Sequence, residues 1–349
     1  MKVLHLLQSS VFSGAENVVC QIMKLFANDK DIQMVYVSPK GPIQEAIESK
    51  GYTYVGLDCF SFGNIRKIIK EQHPDIVHAH DISASIFASI CTIGTNVKVV
   101  SHVHVNNADM AKLNIKTLLY YLSSFRYKHI FWVSPSCYNY YYFRNKLKRK
   151  STVLCNVMDK YDIIERSQQV HTNKKYDLIY VGRIAYQKHP ERLMSVIENV
   201  IKELPSVRIG IVGDGAMFEQ TKKMATSMGL MNNVEFLGYQ SNPLNYLVNS
   251  KVMIMTSRYE GLPMTVLESL ALGVPVVSTP VDGLLDVIEN DVNGYLSNDD
   301  NVIVQRVCEI ISDNDLRSRL SYNAVQKFDK ICDLDKYKST INIVYSRSK

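Results

Sequence analysis

Short apolar runs alternate with longer amphipathic stretches along most of this chain, and that alternation restricts the fold more than any other feature. KVLHLLQ is followed by ENVVCQIMKLFAN, QMVYVSP by a helical pattern near 42–50, TYVGLD by IRKIIKEQ, and DIVHAH by SASIFASICTIG. KVVSHVHV, the long KLNIKTLLYYLSSFRY stretch, HIFWVSPS and VLCNV continue the series. Strand-length runs separated by helix-length ones mark βαβ units, and hence a parallel sheet. The pattern fades over 160–175, where ERSQQVHTNKK is polar and turn-like, and restarts at YDLIYVG. PERLMSVIENVIKEL, RIGIVGDG, MFEQTKKMATSMG, NVEFLG, NPLNYLVNS, VMIMTS, TVLESLALG and PVVSTP then follow.

A chain of 349 residues exceeds what one hydrophobic core usually serves. The fade therefore reads as a linker, and the fold class expected is α/β, with two Rossmann-like domains facing an interdomain cleft. The expected boundaries are 1–167 and 173–330, with 331–349 a C-terminal segment that packs back on the first domain. In such sheets ligands sit outside the carboxyl ends of the strands.

Composition narrows the class. No apolar run approaches the ~18 residues of a membrane span. MKVLHLLQSS reads as a first buried strand and lacks the apolar core and cleavage site of a signal peptide. Seven scattered cysteines with no C-x-x-C pair favour reduced thiols in a cytoplasmic protein over disulfides or a zinc site. The net charge of +6 is uneven: residues 1–170 carry 20 Lys/Arg against 13 Asp/Glu, the remainder 20 against 21. Between Ala111 and Met158 there is no acidic residue, while Lys112, Lys116, Arg126 and others interleave with eleven aromatics. This stretch fits an anionic membrane surface, against the plainer reading of a basic helix beside a tyrosine-rich core edge. Nucleic acid is not expected as a partner, because no reader motif is present.

Four strand ends in the second half gather the unusual residues. VGRIAYQKHP places Gly182, Arg183 and Lys188 past one strand, and IVGDGA places Gly213 and Asp214 past the next. LGYQ puts Gly238 past a third, and SRYEGLPMTVLESLALG places Glu260, Gly261, Leu262 and Glu268 at and beyond a fourth. A glycine after a strand is usually a turn residue, and a lone Arg or Lys is usually solvated. Together, two fixed cations beside a helix N-terminus make a receptor for a diphosphate. Pro263 suits a first helical turn, the amides of Gly261 and Leu262 can face an anion, and Glu260 can accept sugar hydroxyls. The plainer alternative makes Glu260 a helix-dipole partner and Glu268 part of a polar helix face.

The E-x7-E spacing of Glu260 and Glu268, the GR-x4-K of Arg183 and Lys188, the GDG turn, FLGY and NGYL closely resemble the retaining GT-B glycosyltransferases of family 4. FSGAENVV, PDIVHAH, SHVHVN and WVSPS resemble that family's first-half markers, so the likeness runs in order along most of the chain. It is nearest the bacterial capsular and surface-polysaccharide branch. The departures are His189, where the family often has glycine, and CNVMD, where Asn-Val replaces Asn-Gly.

The resemblance implies that Arg183 and Lys188 hold the donor diphosphate and Glu268 the ribose hydroxyls. It implies that Glu260, with the Gly261 and Leu262 amides, holds the sugar ring and distal phosphate, alongside Gly182, Gly213 and Asp214. Gly14 would close on the phosphates, and His104 would touch the sugar near its anomeric carbon, with His102 as the alternative. The implied reaction moves a sugar, with retention, from a nucleotide-sugar donor to a saccharide acceptor. The donor is a UDP-sugar in preference to GDP-mannose, and the acceptor is linked to a polyprenyl diphosphate. A peripheral position on the inner face of the plasma membrane follows. No D-x-D stands at a strand end, so neither metal nor cofactor is expected. The rival readings are a non-hydrolysing nucleotide-sugar epimerase and a non-catalytic nucleotide-sugar-binding module of an assembly complex.

Overall fold

The computed structural model describes residues 1–12, 14–104, 108–169, 174–281 and 283–346. The chain divides into two compact units, Met1–Val157 with Asp333–Lys349, and Met158–Cys332.

The first unit runs β1 (Lys2–Leu6), α1 (Gly14–Phe26), β2 (Gln33–Pro39), α2 (Ile43–Glu48), β3 (Tyr54–Leu57), α3 (Phe62–Gln72), β4 (Ile76–His80) and α4 (Asp81–Cys91). It continues with β5 (Lys98–Val103), α5 (Ile115–Ser124), β6 (Tyr127–Trp132), α6 (Pro135–Tyr140), α7 (Arg144–Leu147) and β7 (Ser151–Val153). Among the described residues the strands form one parallel sheet in the order β3-β2-β1-β4-β5-β6-β7. Every residue of β4 is buried, as a strand covered by helices on both faces must be.

Polar caps set several boundaries. HIFWVSPS stops being a strand at Trp132, because Ser134 accepts from the Cys137 amide and Pro135 opens α6. α5 begins only at Ile115, where Asn114 accepts from the Thr117 amide at 2.9 Å. That helix is inside-out: Thr117, Tyr120 and Ser124 are buried, while Ile115, Leu118, Leu119 and Leu122 are exposed. The inward hydroxyls are satisfied, Tyr120 by Ser101 at 2.7 Å and Ser124 by the Tyr121 carbonyl.

The second unit runs α8 (Lys160–Gln168), β8 (Tyr176–Val181), α9 (Pro190–Glu203), β9 (Ile209–Val212), α10 (Phe218–Ser227), β10 (Val234–Gly238), α11 (Leu244–Val248) and β11 (Ser250–Met255). Next come α12 (Met264–Ala271), β12 (Val276–Ser278), α13 (Leu284–Val287), β13 (Gly294–Leu296), α14 (Asp300–Ser312) and α15 (Asn314–Ile331). Its sheet, again parallel, has the order β10-β9-β8-β11-β12-β13. Ile209, Ile211, Val252 and Ile254 fill its core with Ile197 of α9 and Ile310 of α14. A last helix, α16 (Leu334–Ser346), belongs to the first unit, where Lys338 pairs with Asp29 at 3.0 Å.

The linker reading needs correction. The units part at Val157/Met158, and 160–168 is α8, capped by Asp159, which accepts from the Tyr161 amide at 3.0 Å. Its buried face is only Ile163 and Ser167, too sparse a stripe to register as a helix in the sequence. Residues 170–173, also in that predicted linker, lie outside the described residues.

Both sheets share one strand order, in which the chain works outward from the first strand and then returns to its other side. The reversal falls between β1 and β4 in one unit and between β8 and β11 in the other. Loops leaving those strands part in opposite directions and leave a crevice at the carboxyl end. Among the described residues no helix is long and apolar enough to cross a membrane.

Candidate functional site

In the second unit the reversal brings the loop after β8 against the loop after β11. Lys188 Nζ stands 2.5 Å from Glu260 Oε1, with the side chains 13% and 5% exposed. Ser257 donates to the same oxygen at 2.6 Å, and the Gln187 side-chain amide reaches Oε2 at 3.4 Å. The loops are stitched further by the Arg258 amide to the Gln187 carbonyl at 2.8 Å and by the Arg258 guanidinium over the Tyr186 ring. Thr256 Oγ1 lies 3.2 Å from the carbonyls of both Lys188 and His189. Sequence reasoning named Lys188 and Glu260 but missed Ser257 and Gln187; the only signal for Ser257 was its place three residues ahead of Glu260 in one turn.

Glycines allow the backbones to close up. Gly213 has φ +135°, and a Cβ there would lie 1.9 Å from the Gly182 carbonyl oxygen. Across the site, a Cβ on Gly283 would stand 1.8 Å from the Gly261 carbonyl oxygen. Gly182, Gly213 and Gly261 therefore sit where chain packs directly on chain. Leu262 is buried beside Gly261, and Pro263, with ψ 128°, is the cap ahead of α12 rather than part of its first turn.

Glu268 lies in the middle of α12 and is 6% exposed. Among the described residues no hydrogen bond or ion pair holds its carboxylate. Burial pushes its pKa up to about 7; Arg166 of α8 opposes the rise and Asp162 adds to it. The helix hidden in the predicted linker thus supplies the charged neighbours of Glu268.

Arg183 is exposed at the head of the β8 loop, its guanidinium without a partner among the described residues. Asp214 is exposed, and its carboxylate accepts from the next amide, Gly215, at 2.6 Å, a local turn bond. The structure therefore brings Lys188 and Glu260 together, sets Glu268 in the following helix, and leaves the Asp214 side chain engaged with its own turn.

The first unit places Gly14 at the start of α1, exposed, where an added Cβ would meet nothing within 4 Å. His102 lies within β5 and is 0% exposed, whereas His104 lies past the strand end and is 6% exposed. The His104 amide donates to Asp81 Oδ1 at 2.8 Å, and Asp81 has a left-handed φ of +70°. Asp81 escaped sequence reasoning, since nothing in DIVHAHD distinguishes it from an ordinary helix start. Around these residues lie three more buried histidines, His5, His78 and His80. His5, His78 and His80 form one group with ring nitrogens within 4.8 Å of one another, and His80, His102 and His104 form a second. These groupings are where an ion of the zinc class would fit by ligand type, and the sequence reading identified no such cluster.

The description "Glycosyltransferase Family 4" matches residues 12–186, and "Glycosyl transferases group 1" matches residues 162–327. The chain belongs to glycosyltransferase family 4. This family 4 chain is 30% identical over 245 residues to an uncharacterized glycosyltransferase of Methanocaldococcus jannaschii, covering 62% of this chain and 58% of the archaeal one. It thus spans less than two thirds of that relative. It is 25% identical over 382 residues to the Escherichia coli UDP-Gal:alpha-D-GlcNAc-diphosphoundecaprenol alpha-1,3-galactosyltransferase, covering 96% of each. Among solved structures, Anabaena HepE in complex with UDP-glucose superposes with a TM-score of 0.84 at 19% identity, covering 99% of this chain and 100% of that one. At that identity the likeness speaks for the fold, which is GT-B.

Proposed function

We propose that this chain is a retaining glycosyltransferase that moves a sugar from a UDP-sugar to a lipid-linked saccharide in surface-polysaccharide synthesis. The observation that carries the reading is Glu268. Among the described residues no donor holds this largely buried carboxylate, and the adjacent hydroxyls of a ribose are the ligand that would satisfy it. The Escherichia coli relative is named for UDP-Gal and a diphosphoundecaprenol acceptor, and the Anabaena structure contains UDP-glucose; both support the choice of donor, and the first supports the choice of acceptor class.

On this reading Arg183 and Lys188 bind the diphosphate and stabilise the charge that grows on it as the glycosidic bond breaks. The leaving phosphate oxygen takes the proton of the incoming acceptor hydroxyl on the same face of the sugar, which preserves the anomeric configuration. Glu260, held in place by Lys188, Ser257 and Gln187, positions the sugar. The two cations supply the electrostatic role that a divalent ion supplies in D-x-D enzymes, so turnover survives chelation. His104 contacts the sugar.

The exposed face of α5 supports a membrane-held acceptor. Ile115, Leu118, Leu119, Leu122 and Phe125 present an apolar stripe inside a segment with no acidic residue. Such a face favours anionic lipid through apolar burial and charge together.

The test is a panel of UDP- and GDP-sugars scored for binding and turnover, with Glu268→Ala as the control and the product anomer read by NMR. Turnover of a UDP-sugar with retained configuration, lost in the variant, is expected. Epimerised free donor, an inverted product, or turnover that needs a divalent cation would overturn the reading.

A further inference from the structure

Lys188 and Glu260 face each other, yet an ammonium against a carboxylate fixes little about the loops behind them. Both side chains are long and rotatable, and an ammonium is a point charge that takes a partner from many directions. Two planar groups, one on each loop, do what that pair cannot. From the loop after β8, the Gln187 side-chain amide donates to the Tyr259 carbonyl at 3.0 Å and lies 3.4 Å from Glu260 Oε2. From the loop after β11, the Arg258 guanidinium sits over the Tyr186 ring, 4.1 Å from its centroid, and donates to the Tyr186 carbonyl at 2.5 Å. Between them the Arg258 amide donates to the Gln187 carbonyl at 2.8 Å. Each loop thus grips the backbone of the other, next to Lys188 on one side and just ahead of Glu260 on the other.

Arg258 invites a different reading, as a third cation for the donor diphosphate. Its contacts argue against that. The guanidinium face is taken by Tyr186, Nη1 by a carbonyl, and Nη2 lies 3.7 Å from Glu191 Oε2. A guanidinium stacked on a ring and bonded to a carbonyl is a brace, because its flat fork is already organised for both contacts. Thr256, which reaches the carbonyls of Lys188 and His189, adds a further tie between the same loops.

A ligand that touches two loops binds best when they already stand at the working separation, since no ordering then accompanies binding. A UDP-sugar that meets Lys188 through its diphosphate and Glu260 through its sugar depends on that separation. UDP, which lacks the sugar, does not.

We propose that Gln187 and Arg258 are positioning residues, a clasp that sets the spacing between Lys188 and Glu260 at which one sugar nucleotide engages both. The donor half of this inference rests on the proposed function; the clasp stands on the contacts alone.

Two readouts on the full chain separate the halves. The first needs no ligand: urea denaturation of Lys188→Ala, Glu260→Gln and the double variant gives the coupling within the pair. Repeated in a Gln187→Met background, which keeps the side-chain length and removes the donor, that coupling should fall by about half or more. The second readout uses UDP, UDP-glucose and UDP-galactose. Gln187→Met should leave the Kd for UDP within about threefold, and lower kcat/KM for the UDP-sugar that is turned over by about tenfold or more. Arg258→Lys keeps the charge, loses the stacked plane, and should show the same two losses. Should Gln187→Met fail to fold, Arg258→Lys decides. A Gln187 or Arg258 that merely fills space would cost stability with the coupling undiminished, and that result overturns the clasp. Reduced coupling with undiminished turnover keeps the clasp and overturns its tie to the donor. If the wild type turns over no nucleotide sugar, the proposed function falls, and the coupling still decides the clasp.

Discussion

Lys188 and Glu260, 72 residues apart in the chain, form a buried ion pair at 2.5 Å that locks together the two loops flanking the strand reversal of the second unit. Removing one partner leaves the other charge buried. Lys188→Ala should therefore lower stability by about 3–5 kcal/mol, and adding Glu260→Gln should recover a large part of it. Urea denaturation of the single and double variants checks this; strictly additive losses would mean that the pair is not coupled. The same lysine variant should lose donor binding, which the double variant should not regain.

Glu268 gives a pH signature. Its folded pKa of about 7 lies above the ordinary 4.5, so the folded state holds the proton more tightly than the unfolded state. The resulting stabilisation is complete below pH 4.5 and is lost as pH rises to 7, a span worth about 3 kcal/mol. Wild-type Tm should fall across that window relative to Glu268→Gln, whose neutral amide does not titrate. Parallel Tm curves from pH 4 to pH 8 would contradict the assignment.

The stripe on α5 separates membrane contact from folding. Leu119→Ser with Leu122→Ser alters only the exposed face, so stability should change by less than about 1 kcal/mol. Co-sedimentation with anionic vesicles should fall several-fold. Wild-type binding should weaken with added salt, since exposed charges are screened over about 10 Å at 0.1 M. Binding that ignores salt, or that survives the double variant, would place the contact elsewhere.

Gly213 tolerates no side chain. Alanine there would need both a strained φ and a shift of the Gly182 backbone, so Gly213→Ala should cost at least about 2–3 kcal/mol and weaken donor binding. Gly14→Ala meets no protein atom within 4 Å and should leave stability within about 1 kcal/mol. Any larger effect of Gly14→Ala should appear in donor affinity alone, by titration calorimetry.

His189 has a left-handed backbone, with φ 54° and ψ 58°. His189→Gly relieves that conformation while loosening the unfolded chain, so the two effects should cancel to within about 1 kcal/mol. His189→Val, a β-branched residue, should cost more than that. Thermal melts of the two variants give the comparison.

Much of the fold was legible because buried parallel strands write themselves as apolar runs. QMVYVSP was read with the bounds it has in the structure, Gln33–Pro39. The helix α8 was not legible, since two buried positions in nine residues carry no period, and its capping Asp159 lies in a segment that already looked like a turn. At the site, the strand-end positions of Lys188 and Glu260 and the helical position of Glu268 left a plainer reading open, and the family resemblance singled the three out. It was silent on what they touch: the Ser257 and Gln187 contacts depend on two loops meeting across the sheet. The histidine cluster was least legible of all, because it draws His5 from β1, His78 and His80 from β4, and His102 and His104 from β5 and just past its end. Single histidines on strands read as core residues, and only strand order makes them neighbours.

The assignment of α16 to the first unit has a consequence for how the protein is made. Tyr345, four residues from the last position of the sequence, hydrogen-bonds His78, and its carbonyl accepts from Lys128 at 3.0 Å. On the ribosome, the whole second unit is synthesised between the bulk of the first unit and the helix that completes it. The first unit must therefore wait with its histidine core uncovered while the second, uninterrupted in sequence, is free to fold as it emerges. A stop codon just before Leu334 would spare the unit nearest to it and cripple the one that was begun first.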